Sequence, residues 1–246
     1  MESIHELRIA MRVLQTLWWF YAPLLDEADA ARQRQLFRSM ARAAGKVRNL
    51  DILIELLDQQ EADLHAPARE PSITLSTARA AAIDAGQEVL SAAKLKTQLH
   101  RALSRSIKHL GAAAHQQHPL ATFADRRIAR SREQLVKRAK KALKAPQPNL
   151  ADFHEVRKSG KKTRYLLEIF GPLLSAKHQK ALKRLKKTLQ TLGALNDVVA
   201  TEHLLLENPA LLGDSEPSQA LLHRLAKQRK RRLRAAVHAL RKKKIA

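Results

Sequence analysis

Along most of this chain apolar residues recur at intervals of three and four, the spacing that lines one face of an α-helix. Ser3 and Glu6 form a capping-box pattern, and a helical apolar stripe follows until Pro23. A second helix is predicted from about Asp29 to Ala44, stopped by Gly45. A third opens at "RNLDILIELLDQQ", with Asn49 as its N-cap. The prolines of "HAPAREPS" (65–72) predict a loop. Residues 75–116 read as two helices joined near Ser91, "HQQHPL" breaks the chain, and a long basic helix occupies about 121–144. "KAPQPN" (144–149) is a second linker. Beyond it Asp152 and Glu155 repeat the capping pattern, for a helix over 152–170 that ends at Gly171-Pro172. Helices over about 176–192, stopped by Gly193, and about 216–243 follow. The expected fold class is all-α.

The order of these signals restarts midway. "HELRIAMRVLQTLWWFYAPLL" (5–25) aligns without a gap to "HEVRKSGKKTRYLLEIFGPLL" (154–174), and a helix, a glycine and an Asn/Asp segment follow in both places. The two parts, about 1–145 and about 146–246, look like copies of one helical unit. They are expected to pack together as a single domain over 1–246.

Composition supports the helical reading and adds a charge problem. Seven glycines and nine prolines are too few for a turn-rich β fold. The absence of cysteine excludes disulfides, thiolate metal sites and cysteine nucleophiles. With 46 Lys and Arg against 23 Asp and Glu the formal net charge is +23, and a compact domain held there repels itself unless a polyanion compensates. No apolar run approaches the roughly 18 residues of a membrane span. The N-terminus lacks the basic and apolar regions of a signal peptide, so a cytoplasmic protein is expected.

The repeated helix places that charge. At about 100° per residue, His154, Arg157, Lys158, Lys161 and Arg164 fall in one arc, with Val156, Leu166, Leu167 and Phe170 mostly opposite. In the first copy His5, Arg8 and Arg12 share a face, and Leu7, Val13, Leu14, Leu17 and Tyr21 form the apolar side. Glu6 and Glu155 are the only acids expected near these faces. Like charges stacked one turn apart cost stability, which favours a ligand face. Arg38, Arg42 and Arg48 extend the set in the first copy, and Lys183, Lys186 and Lys187 in the second. Arg126, Arg127 and Arg130 open the intervening basic helix, and Arg79 stands on an Ala-rich one. His5 and His154 have arginine, not carboxylate, one turn on, so neither reads as a metal ligand. His115 and His118 adjoin a loop.

A doubled His-X-X-Arg helix with a basic face continuing to Lys161 and Arg164, followed by "LQTLGALND", resembles the CHAD domain, the conserved histidine α-helical domain. "GKVRNLDIL" is similar to a variant of the same turn, and the resemblance runs from His5 to about Arg234. It implies two pseudo-symmetric four-helix units packed as one bundle around a central basic cavity that binds inorganic polyphosphate. Carried over by position, the phosphate contacts would be Arg8, Arg12, Arg38, Arg42 and Arg48, with His154, Arg157, Lys158, Lys161, Arg164 and Lys186. His5, Arg79, Arg126, Arg127 and Lys183 complete the candidate set. Gln15 stands where the second copy has Arg164, and Gln190 opposite Arg42, so the copies need not contribute equally. Members of the family often follow a catalytic triphosphate-tunnel domain. No ExExK strand motif occurs in this chain, so catalysis is not expected. Some members associate with polyphosphate or polyhydroxyalkanoate granules, which makes granules candidate partners.

Three function classes compete. Polyphosphate offers one charge per phosphate and no bases, and Arg and Lys alone suffice to hold it. Nucleic-acid binding is the alternative that the charge equally permits. It finds few aromatic platforms, since aromatics are 4% and mostly core-like. A phosphohydrolase would need paired carboxylates for Mg²⁺, whereas Asp51 and Asp197 read as helix-start residues. No cofactor and no metal are expected.

Overall fold

The computed structural model describes residues 2–63, 73–92, 94–114, 119–174, 177–211 and 216–241, all of them helices and short connections. Eight α-helices run in order: α1 (Glu2–Tyr21), α2 (Glu27–Asp63), α3 (Ile73–Ala92), α4 (Leu95–Ala114), α5 (Leu120–Lys144), α6 (Leu150–Phe170), α7 (Lys177–Glu207) and α8 (Glu216–Arg241). The loop predicted at 65–72, His115 and His118, and the end of the last predicted helix at 242–243 lie outside the described residues, as do the side chains of Ser3 and His5.

Two predicted helix stops are corrected. Gly45 lies inside the 37-residue α2 and Gly193 inside the 31-residue α7. An interior glycine costs about 1 kcal/mol relative to alanine. Burial of Val47, Leu50 and Leu53 beyond Gly45, and of Leu195 and Val198 beyond Gly193, outweighs that cost. Asn49, Asp51 and Asp197 are therefore mid-helix residues and not helix starts. α2 is capped instead by Asp26, whose carboxylate accepts the backbone N–H of Asp29 at 2.8 Å. α6 is capped by Asn149, which accepts from Ala151 N at 2.9 Å. Asp152, predicted to cap α6, lies in its first turn and takes the ammonium of Lys141 at 2.8 Å.

The two segments aligned in the sequence share one local geometry. Both Pro-Leu-Leu segments close their helix with a single 3₁₀ turn, Ala22–Leu24 and Gly171–Leu173, with proline at its start where a missing N–H is harmless. Leu25 and Leu174 then turn to extended backbone, their N–H groups donating to Ala22 and Gly171 carbonyls at 3.4 and 3.0 Å. α3 and α4 separate near the predicted Ser91 junction, at Lys94, whose φ of 42° is left-handed.

The chain divides into two compact units, Met1–His115 with Val199–Leu225, and Gln116–Val198 with Ala226–Ala246. This partition differs from a division of the sequence near 145, since 145–149 joins two helices of the second unit. In the first unit Met11 and Trp18 of α1 meet Ala30, Phe37 and Met40 of α2 and Ala102 of α4, with Trp18 edge-on to Phe37 at 5.0 Å. In the second unit α5 and α6 form an antiparallel hairpin with a seam of small residues. Ser131 and Thr163 are buried and share a hydroxyl hydrogen bond of 2.8 Å.

Candidate functional site

The basic arc of α6 exists because its other side is consumed by the core. Val156 and Leu166 are wholly buried, Leu167 and Phe170 nearly so, which turns His154, Arg157, Lys158, Lys161 and Arg164 the other way. Gly160 lies against α7, where an added Cβ would stand 2.9 Å from a Leu189 methyl. That closeness lets side chains of α7 reach the arc.

His154 Nδ1 lies 2.7 Å from Asn196 Oδ1. The Asn196 amide Nδ2 donates to Asp197 Oδ1 at 3.4 Å, which leaves its oxygen to accept from the histidine. The Nδ1–H tautomer follows, and Nε2 becomes a second donor only on protonation. Burial lowers the His154 pKa, the Asn196 hydrogen bond opposes that shift, Lys158 and Arg157 add to it and Glu155 opposes it. An anion close to the ring would raise the pKa again.

The arc holds more acid than its sequence suggested. Besides Glu155, whose carboxylate takes Lys158 at 2.5 Å, Asp197 stands 4.0 Å from Arg157 and Glu168 bridges two helices. Glu168 is 3.5 Å from Arg164 on its own helix and 2.9 Å from Lys186 of α7. Arg157 is the most enclosed of these cations, its side chain 12% exposed. Arg164 also lies over the Tyr165 ring at 4.7 Å. Glu168 could have been found from its i,i+4 spacing to Arg164. Asn196 and Asp197 end the "LQTLGALND" segment, but their pairing with His154 and Arg157 could not be read there, because about forty residues separate the partners. Lys183 is exposed one turn before Lys186.

On α5, Arg126 is exposed but Arg127 is only 7% exposed. Burial, then the neighbouring Arg130, lower the Arg127 pKa to about 10. The two adjacent residues, both in the candidate set, therefore have different environments.

The first unit carries its own set. Arg8 and Arg12 are half-buried on α1, and Arg38 and Arg42 are exposed one turn apart on α2. Arg48 makes a two-pronged contact with Glu55, at 2.7 and 3.3 Å. Arg79 of α3 donates to Asp51 of α2 at 2.8 Å, tying those helices together. The side chain of His5 is outside the described residues. Among the described residues no three His, Asp or Glu side chains come together as a metal site, and no helix is long and apolar enough to cross a membrane.

Comparison with known proteins places the fold and the family. Curated protein sequences contain no match. The chain is similar to the crystal structure of the CHAD domain from the plant Ricinus communis, with a TM-score of 0.68 and 23% identity over 98% of this chain and 82% of that one. At that identity the likeness concerns the all-α fold. The CHAD domain family model matches residues 1–206, a family associated in general with polyphosphate. The chain belongs to the CHAD domain family.

Proposed function

We propose that this protein binds inorganic polyphosphate through the basic faces of its helices and carries out no chemistry on it. The observation that carries this reading is the α6 arc. Five nitrogen-bearing side chains line about three turns of one helix, and a histidine is held so that only its outer nitrogen can respond to an anion. A linear polymer with one charge per phosphate meets such a ladder at many points at once, whereas orthophosphate or ATP engages a few. Arginines supply paired donors and lysines supply point charges. Arg8, Arg12, Arg38, Arg42 and Arg48 give the first unit a corresponding set, with His5, Arg79, Arg126, Arg127 and Lys183 as further contacts. Polyphosphate granules would present the same ligand.

The test is competition at physiological salt, with immobilised polyphosphate against duplex DNA, RNA and ATP. Polyphosphate should win at matched charge concentration; equal or tighter DNA binding would overturn the reading in favour of a nucleic-acid binder. Arg157→Ala/Lys161→Ala/Arg164→Ala should weaken polyphosphate binding by two orders of magnitude or more, at roughly 1.5–3 kcal/mol per charge-assisted contact. Lys137→Gln/Lys140→Gln/Lys144→Gln removes the same charge from exposed positions of α5 and should cost about tenfold or less. Incubation with polyphosphate and Mg²⁺ or Mn²⁺ should release no phosphate.

A further inference from the structure

Of the eight described helices α4 alone contains no Asp or Glu, while it carries Lys96, Arg101, Arg105 and Lys108. One narrow side joins it to the first unit. Ala102 is buried in the core with Trp18 and Phe37, Leu99 packs against that core, and Ser106 and Leu110 are half-buried. Arg105 reaches Asp29 of α2 at 3.2 Å, which neutralises the flank next to that helix. The opposite flank differs. Leu103 and Ile107, one turn apart, are 45% and 67% exposed. At about 100° per residue they share an arc with Lys96 and His100. Arg101, Ser104 and Lys108 continue outward from that arc, all of them exposed. Among the described residues Lys96, Arg101 and Lys108 have no ion-pair partner. An aliphatic side chain exposed singly is ordinary. Two stacked on an acid-free cationic face are a surface with both polar and apolar demands.

We propose that this face of α4 docks on anionic lipid bilayers, with Leu103 and Ile107 entering the boundary between headgroups and acyl chains and Lys96, Arg101 and Lys108 lying against the lipid phosphates. All the charge of the face is positive, so its complement is anionic. A phosphate polymer or a nucleic-acid backbone would satisfy the three cations but leave both aliphatic side chains in water. A partner protein would have to build a stable interface of about 800 Å² per partner around an apolar centre of two side chains on one convex helix. A bilayer asks for less, because a few apolar side chains and a few cations are two weak signals that act together. Lysine and arginine can lay their methylenes beside Leu103 and Ile107 and still place the charge among the headgroups. The contact is peripheral, since the other side of α4 stays in the core.

The experiment is flotation of the full chain at physiological salt with vesicles of phosphatidylcholine and phosphatidylglycerol, and with vesicles of phosphatidylcholine alone. The protein should float with the first and not with the second. A formal net charge of +23 attracts any anionic surface, so the deciding variants separate the apolar part from the charge. Leu103→Gln/Ile107→Gln leaves the charge unchanged, keeps a good helix former at one position and costs little at the other, and should lower the partition coefficient about tenfold or more. Lys96→Gln/Arg101→Gln/Lys108→Gln should lower it roughly 100-fold, at about fivefold per cation. Lys137→Gln/Lys140→Gln/Lys144→Gln removes the same charge from α5 and should lower it about threefold or less. An environment-sensitive fluorophore on Ser104→Cys, the sole thiol of that variant, should brighten and shift to the blue on the anionic vesicles, and one on Lys137→Cys should do neither. Equal losses from the two charge triples would overturn the proposal, and so would full flotation of Leu103→Gln/Ile107→Gln with helicity intact. A dimer in sedimentation velocity that Leu103→Gln/Ile107→Gln dissociates would overturn it in favour of a second copy. An equal loss of polyphosphate affinity in that variant would overturn it in favour of a polyanion site.

Discussion

Glu168 gives the polyphosphate reading a sharp test, because removing an acid there should improve binding. Its carboxylate holds Arg164 at 3.5 Å and Lys186 at 2.9 Å, and all three side chains are partly exposed. A polyanion using those cations must displace Glu168 from both. Exposed ion pairs are worth about 0.2–1 kcal/mol each, so Glu168→Gln should strengthen binding by about 0.4–2 kcal/mol, roughly 2- to 30-fold. The gain should shrink as salt screens the competing carboxylate. Glu133→Gln on α5 is the control: it makes the same change in net charge at an exposed site and should give less than about twofold at physiological salt. Fluorescence anisotropy with labelled polyphosphate at three salt concentrations would measure both variants. Unchanged or weaker binding by Glu168→Gln, with helicity intact, would mean that Arg164 and Lys186 do not meet the ligand. Equal gains from both variants would reduce the α6 arc to a general cationic surface.

Other expectations follow from the same geometry. Gly45→Ala and Gly193→Ala should each raise stability by about 0.5–1 kcal/mol, since among the described residues nothing beyond the chain neighbours and the helix's own backbone lies within 4 Å of the added Cβ at either position; thermal denaturation should show a rise, and a fall would restore the glycines as structural breaks. Gly160→Leu should instead cost about 1–3 kcal/mol, because Leu189 and Leu185 already occupy that space at 2.9 and 3.6 Å, and a neutral result would contradict the close α6–α7 approach. The His154 pKa lies below its unfolded value, so the unfolded chain holds more protons and stability should drop as pH falls from 6.5 through the folded pKa. Saturating polyphosphate should raise that pKa and binding should tighten over the same range; an NMR titration of the ring that does not move on adding polyphosphate would place the ligand elsewhere.

The helices themselves were legible from spacing, and so was the arc on α6, because both depend on neighbours within a turn or two. The errors came where a local rule met a distant force. Gly45 and Gly193 read as stops because propensity is local, whereas the burial of Leu53 and Val198 that overrides it is tertiary. Asp51 and Asp197 read as helix starts for the same reason. Their partners, Arg79 and Arg157, lie on other helices, and a helical wheel shows only its own chain segment. Asn149 took the cap from Asp152 because a better-placed carbonyl stood three residues earlier, and Lys141 drew the aspartate away.

The two tryptophans of this chain, Trp18 and Trp19, both lie in the first unit, and Tyr165 is the only tyrosine of the second. Trp18 is buried edge-on against Phe37, and Tyr165 is buried beneath the Arg164 guanidinium. Each unit therefore carries its own optical reporter without any label being introduced. Excitation at the red edge of the absorption band follows the two tryptophans of the first unit and no tyrosine. Tyrosine absorbance in a variant with Tyr21→Phe, Trp18→Phe and Trp19→Phe follows the second unit. Coincident denaturation curves from the two signals would mean one cooperative transition, and separated curves would resolve an intermediate in which the hairpin carrying the α6 arc melts apart from the tryptophan core.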